Sequence, residues 1–239
     1  MNLTPLARAM HNRARRFTTT AICSALFALL TGCAATPQRG EQLARAELLA
    51  LLQTLNADLL SHDSATLTLE RWCSEHHLAE PARIVARRMH DGDKAIPGDL
   101  LARLAVDATE PLRYRHVQLA CGERVLSEAD NWYVPARLTA EMNRQLDTSE
   151  EPFGKVVKPL GFQRRTLSAE LLWSPLPAQW EMQTDAATAA SSTTPLRIAT
   201  NVLRHRAVLY SAAQQPFSAL EETYRSELFA FGRWRVWLP

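Results

Sequence analysis

Hydrophobic positions along the chain fall into two periods, and the change between them divides it. Over residues 41–61, Leu48, Leu52, Leu55 and Leu59 recur at spacings of four, three and four, which draws one apolar stripe and predicts a helix. His62-Asp63-Ser64 breaks it, and a second helix is expected over 67–77, with Leu69, Trp72 and Cys73 on one side. Residues 84–89 suit a short strand, and the composition of 91–97 (DGDKAIP) is that of a loop. From there the period shortens. Residues 113–120 (RYRHVQLA) alternate, Cys121-Gly122-Glu123 makes a turn, and 124–134 runs back, which predicts a β-hairpin. Pro135 ends it, and Leu138, Met142 and Leu146 mark another helix over 137–146. Pro152-Phe153-Gly154 opens a further short segment.

Three more strands are expected, over 166–173, 196–211 and 217–228, the last two joined through Gln214-Gln215-Pro216. Residues 183–195 (QTDAATAASSTTP) lack large apolar side chains and read as a mobile insert. The closing stretch, 229–239, holds Phe229, Phe231, Trp234 and Trp237. Exposing so many rings invites aggregation, so it should pack on the body. The sum is an α+β fold: an antiparallel β-sheet with helices packed on one side.

Composition is ordinary for a globular domain, at 46% hydrophobic and 22% charged residues. The formal charge of +2 comes from the first 32 residues, which carry Arg8, Arg13, Arg15 and Arg16 and no acid. Without them 23 basic residues face 25 acidic ones, which gives little drive toward nucleic acid. Those first residues have the form of an export leader. A basic start (His11 to Arg16) is followed by ten apolar-rich residues (AICSALFALL), too few to span a bilayer. Leu30-Thr31-Gly32-Cys33 then resembles a bacterial lipobox, which implies lipidation of Cys33, a tether over 33–40 and a domain over 41–239. Ala34 stands where an inner-membrane retention signal would place Asp. An outer-membrane lipoprotein facing the periplasm is therefore expected. Of the four cysteines, Cys73 and Cys121 remain for the domain. An oxidising compartment permits them to pair, but two separate buried thiols are the expectation. No Cys/His spacing suits a metal, and adjacent His76 and His77 diverge on a helix.

Two ionisable residues break the pattern. Arg115 shares the inward face of its strand with Val117 and Leu119, so its guanidinium needs an anion. On the last strand Leu220, Glu222 and Tyr224 share one face, and Glu221 lies on the other. Arg115 either pairs with Glu222, snorkels into water from near a strand end, or clamps a ligand's carboxylate.

The order of these motifs resembles the chorismate–pyruvate lyase family. Asp63-Ser64-Ala65-Thr66 is similar to its D-S-x-T segment and Arg115-His116-Val117-Gln118-Leu119 to its R-x-[IV]-x-L strand. Gly122-Glu123 and Val134-Pro135 match its hairpin, Pro152-Phe153-Gly154 its P-L-G, and Glu222-Thr223-Tyr224 its E-L-F. The resemblance implies a chorismate lyase-like α+β fold and a cofactor-free carbon–oxygen lyase. Such an enzyme splits chorismate, or a related enolpyruvyl or aromatic acid, into 4-hydroxybenzoate and pyruvate, as in ubiquinone biosynthesis. It makes Arg115 the carboxylate anchor and Glu222 the group at the opposite pole, with Glu221 as its competitor. Ala65 and Phe153 supply backbone N–H groups and wall. The alternatives are a non-catalytic module that binds a small aromatic carboxylate, and a structural envelope lipoprotein. A monomer is expected in each case.

Overall fold

The computed structural model describes residues 37–107, 109–182 and 195–239. Cys33, the leader and nearly all of the 183–195 insert lie outside the described residues. Residues Ala44–Pro239 form one compact unit, which holds the sheet and, apart from the start of the first helix at Pro37, its helices.

The elements follow the two periods. The leucine stripe forms α1 (Pro37–Ser61), and Leu48, Leu52, Leu55 and Leu59 are all buried. Removing one such side chain to the β-carbon costs about 2–5 kcal/mol in a packed core. Helix α2 (Ala65–Glu75) starts at Ser64, whose Oγ accepts the Leu67 N–H. The sheet holds β1 (Ile84–Arg88), β2 (Arg113–Cys121), β3 (Arg124–Tyr133), β4 (Gln163–Leu171), β5 (Asn201–Tyr210) and β6 (Pro216–Arg225). Their spatial order is β1-β2-β3-β6-β5-β4, and every neighbouring pair is antiparallel. The α+β architecture with an antiparallel sheet is as the pattern predicts.

The β2–β3 hairpin closes on Gly122 and Glu123. Gly122 takes a φ of +57°, and a β-carbon there would lie 2.8 Å from that of Ala79, so glycine is required twice over. Short helices Ala140–Thr148 (α4) and Phe153–Val156 (α5) follow on the face that α1 and α2 cover. Pattern alone did not predict α3 (Gly98–Leu104), a short helix before β2. Its Leu100 and Leu104 pack with Trp132, Val208 and Ala219 on the reverse face of the sheet. The aromatic tail packs as expected: Phe229 and Trp234 are buried, and the indole N–H of Trp72 donates to the Leu228 carbonyl. No described helix is long and apolar enough to cross a membrane.

One expectation is overturned. Cys73 on α2 and Cys121 at the end of β2 are joined by a disulfide, with 6.6 Å between their α-carbons. The two elements diverge in sequence but converge over the core, a juxtaposition that no spacing rule reveals. A second buried link is polar. His205 on β5 is fully enclosed, and its Nε2–H donates to Asn56 Oδ1 on α1 at 2.9 Å. Burial pushes the His205 imidazole down to about 4, against the attraction of Glu222.

The disulfide closes a loop of 48 residues, for which chain entropy gives about 4 kcal/mol. A C73A/C121A variant should therefore unfold at lower urea concentration, and thiol titration of the denatured native protein without reductant should find neither cysteine free. For His205 the unfolded state binds the extra proton, since its folded value lies below the ordinary 6.5. Stability should thus fall as the pH drops through that window, by about 2 kcal/mol between about pH 7.5 and 5. Urea titrations at both pH values check this, and H205Q should remove most of that difference.

Candidate functional site

Alternation on β2, β3, β6 and β5 turns Arg115, Val117, Leu119, Ala129, Asn131, Leu209, Leu220 and Glu222 onto one face of the sheet. Across from them stand the start of α2 and the start of α5. Between lies a pocket whose empty space, counted out through its mouth into open solvent, is about 520 Å³. Phe153 and Phe162 add aromatic wall, and both rings pack near Phe217.

The two helix starts meet closely because residue 154 is glycine. A β-carbon there would come within 3.1 Å of Ser64 Oγ and 3.4 Å of Thr66 Oγ1. Lys155 and Glu70 pair at 2.6 Å, which fastens α5 to α2. Ser64, Ala65 and Thr66 line the cavity. The first N–H groups of a helix have no intrahelical acceptor, so those of Ala65 and Thr66 are left for another partner. Leu67 and Thr68 are already used, by Ser64 Oγ and the Ser64 carbonyl.

Arg115 is 4% exposed, yet its guanidinium is barely matched. Nη2 reaches the Glu151 carbonyl at 3.3 Å, and Nε and Nη1 have no partner among the described residues. Burial, helped by repulsion from Arg88, brings its pKa down to about 10. Directly across the β2–β3 ladder stands Asn131, whose Oδ1 accepts the Ser218 hydroxyl at 2.5 Å. Its amide nitrogen donates to none of the described residues, so a second donor sits beside Arg115.

Glu222 occupies the other pole. It lies two strands away and two residues along, which puts the α-carbons of Arg115 and Glu222 roughly 12 Å apart. The two do not pair. Glu222 Oε2 instead accepts from Arg164 Nη2 at 2.6 Å and from the Tyr224 hydroxyl at 3.0 Å. Neither contact uses Oε1. Enclosure keeps the Tyr224 phenol well above its ordinary range, and the negative charge of Glu222 adds to that.

Four residues expected at the site therefore line one cavity: Arg115, Glu222, Ala65 and Phe153. Glu221 does not. It faces the reverse side of the sheet, 3.5 Å from Arg206 and 3.9 Å from Lys94, because adjacent strand residues point oppositely. Lys155 is engaged by Glu70, and His76 is stacked between Trp72 and Phe231. Among the described residues no cluster of metal-ligating side chains occurs. Sequence reasoning missed Arg164 and Asn131. Had β4 been extended two residues before Thr166, its period would have put Arg164 on the face of Thr166.

No family model matches this chain. Solved structures that resemble it include PhnF from Mycobacterium smegmatis, with a TM-score of 0.45 and 17% identity over 87% of this chain and 96% of that one. The effector domain of the same PhnF gives a TM-score of 0.43 and 14% identity, covering 69% of this chain and 90% of that one. A GntR-family transcriptional regulator from Enterococcus faecalis V583 gives 0.37 and 13%, covering 62% and 97%. Likenesses this distant carry no argument for regulation. They also return regulators where the sequence motifs had pointed to chorismate–pyruvate lyases. Membership of that lyase family, chorismate cleavage and a place in ubiquinone biosynthesis are accordingly withdrawn. A sequence relative is far nearer. The uncharacterized protein y4mC of Sinorhizobium fredii (strain NBRC 101917 / NGR234) is 51% identical over 193 residues, which cover 80% of this chain and 81% of y4mC. This chain belongs to the same family as y4mC.

Proposed function

We propose that the domain is a non-catalytic binding module for a small carboxylate with an apolar, ring-sized body. One observation carries the reading: the enclosed Arg115 guanidinium with Nε and Nη1 unmatched. A charge left bare in a dry site costs several kcal/mol, and a ligand carboxylate relieves that cost through two parallel N–H···O bonds. The Asn131 amide and the free N–H groups at the start of α2 supply further donors around it. Val117, Leu119, Leu209, Leu220 and Phe153 offer apolar wall to the ligand's body. Glu222 Oε1 accepts a hydrogen bond from its far end.

The same proposal places the module in the cell envelope on a lipid attached to Cys33. Two features support this: the leader's basic, apolar and L-x-G-C order, and a disulfide that needs an oxidising compartment to form and persist.

Titration calorimetry of the purified chain with benzoate and para-substituted benzoates tests the binding reading. Saturable binding is expected, weakened about a hundredfold in R115A, the scale of a lost buried charge pair. R115K should fall between, since an ammonium keeps the charge and loses the fork. Unaltered affinity in R115A, with folding verified by circular dichroism, would overturn the reading. The anchor is checked separately. Cells grown with a clickable palmitate analogue should label the wild-type chain, and a C33A variant should carry no label.

A further inference from the structure

Two guanidinium groups line the cavity with only one enclosed acid. Arg164 and Glu222 expose 4% and 7% of their side chains and form an ion pair at 2.6 Å. Arg164 is held in place twice more: its backbone N–H donates to Asp63 Oδ1 at 2.8 Å, and its Nε lies 3.4 Å from Thr166 Oγ1. Asp63 also lines the cavity, but it is exposed at the mouth, where water screens it. The Arg164–Glu222 pair is neutral as a unit, so the enclosed charge that remains unmatched is that of Arg115.

We infer that Arg164 is the specificity-determining residue for ligand charge: by cancelling Glu222 it makes the far pole neutral, so the cavity selects a monoanion with an uncharged hydrogen-bond donor opposite its carboxylate. This rests on the binding reading above. Without Arg164 the enclosed charges would be one cation and one anion at opposite poles, which is the complement of a zwitterion such as an amino acid. With Arg164 present, an ammonium brought to that pole meets a guanidinium, and a second carboxylate meets Glu222. A hydroxyl meets neither penalty. Both contacts to Glu222 from the described residues fall on Oε2, so Oε1 of the carboxylate, which can only accept, remains for that hydroxyl.

Three para-substituted benzoates of similar size separate these cases: 4-(hydroxymethyl)benzoate, 4-(aminomethyl)benzoate and terephthalate, with net charges of minus one, zero and minus two. Calorimetry on the purified full chain should rank the hydroxymethyl compound first by about tenfold or more, the scale of an unmatched charge in an enclosed site. In R164M the aminomethyl compound should gain at least about tenfold relative to the hydroxymethyl one. In E222Q, which keeps the side-chain shape and leaves Arg164 unpaired, terephthalate should gain by a similar factor. If R164M fails to fold, E222Q decides. Binding of the hydroxymethyl compound with the ranking unchanged in the folded variants overturns the role of Arg164 and leaves the binding module standing. Failure of all three compounds to bind the wild-type chain overturns the binding module itself.

Discussion

A guanidinium on the buried face of a β-sheet is an expensive thing to maintain, and the architecture around Arg115 is organised by that cost. Stripping water from such a cation, without an anion to replace it, costs several kcal/mol. The protein meets it with one long carbonyl contact from Glu151 and leaves two nitrogens facing no protein acceptor. The depressed pKa of the group is the electrostatic signature of the same imbalance. A residue chosen for packing alone would not need this, since a leucine at the position would extend the surface of Val117 and Leu119. Stability is forgone here, and the carboxylate proposed above is the anion that would restore it.

The second guanidinium shows the opposite solution. Arg164 is as deeply enclosed, but it has a carboxylate at 2.6 Å; burial opposes its charge most strongly, yet the attraction and hydrogen bond of Glu222, joined by Tyr224 and Asp63, together raise its pKa. One cavity thus contains a matched and an unmatched arginine. The matched one shapes the charge of the far pole, and the unmatched one supplies the attraction. An acid tied to Arg164 and Tyr224 is a fixed acceptor.

The elements that carry the site are fastened to one another away from it. Cys73 joins α2, whose start lines the cavity, to β2, which carries Arg115. Lys155 and Glu70 fasten α5 to α2, and Gly154 lets the two helix starts approach. Strand β4, at the edge of the sheet, contributes little buried surface, but it delivers Arg164 across β5 to Glu222 on β6. The cavity is therefore bounded by pieces distant in sequence, each held by a contact that is itself long-range.

Periodicity made much of this legible. The leucine stripe of α1, the β2–β3 hairpin and the in-facing positions of Arg115 and Glu222 follow from spacings of 3.6 and 2, which depend only on backbone geometry. The same alternation put Glu222 and Glu221 on opposite faces, while the choice between them waited for the register of β6. Partner choice was not legible, because pairing depends on which strands become neighbours. The sequence could offer Arg115 and Glu222 as a pair, yet it could not show that a strand entering from the edge would bring Arg164 to Glu222 first. The union of Cys73 with Cys121 was hidden for the same reason. Local spacing determines which way a side chain points, since that is a property of one element; what it meets there is decided by the packing of all of them.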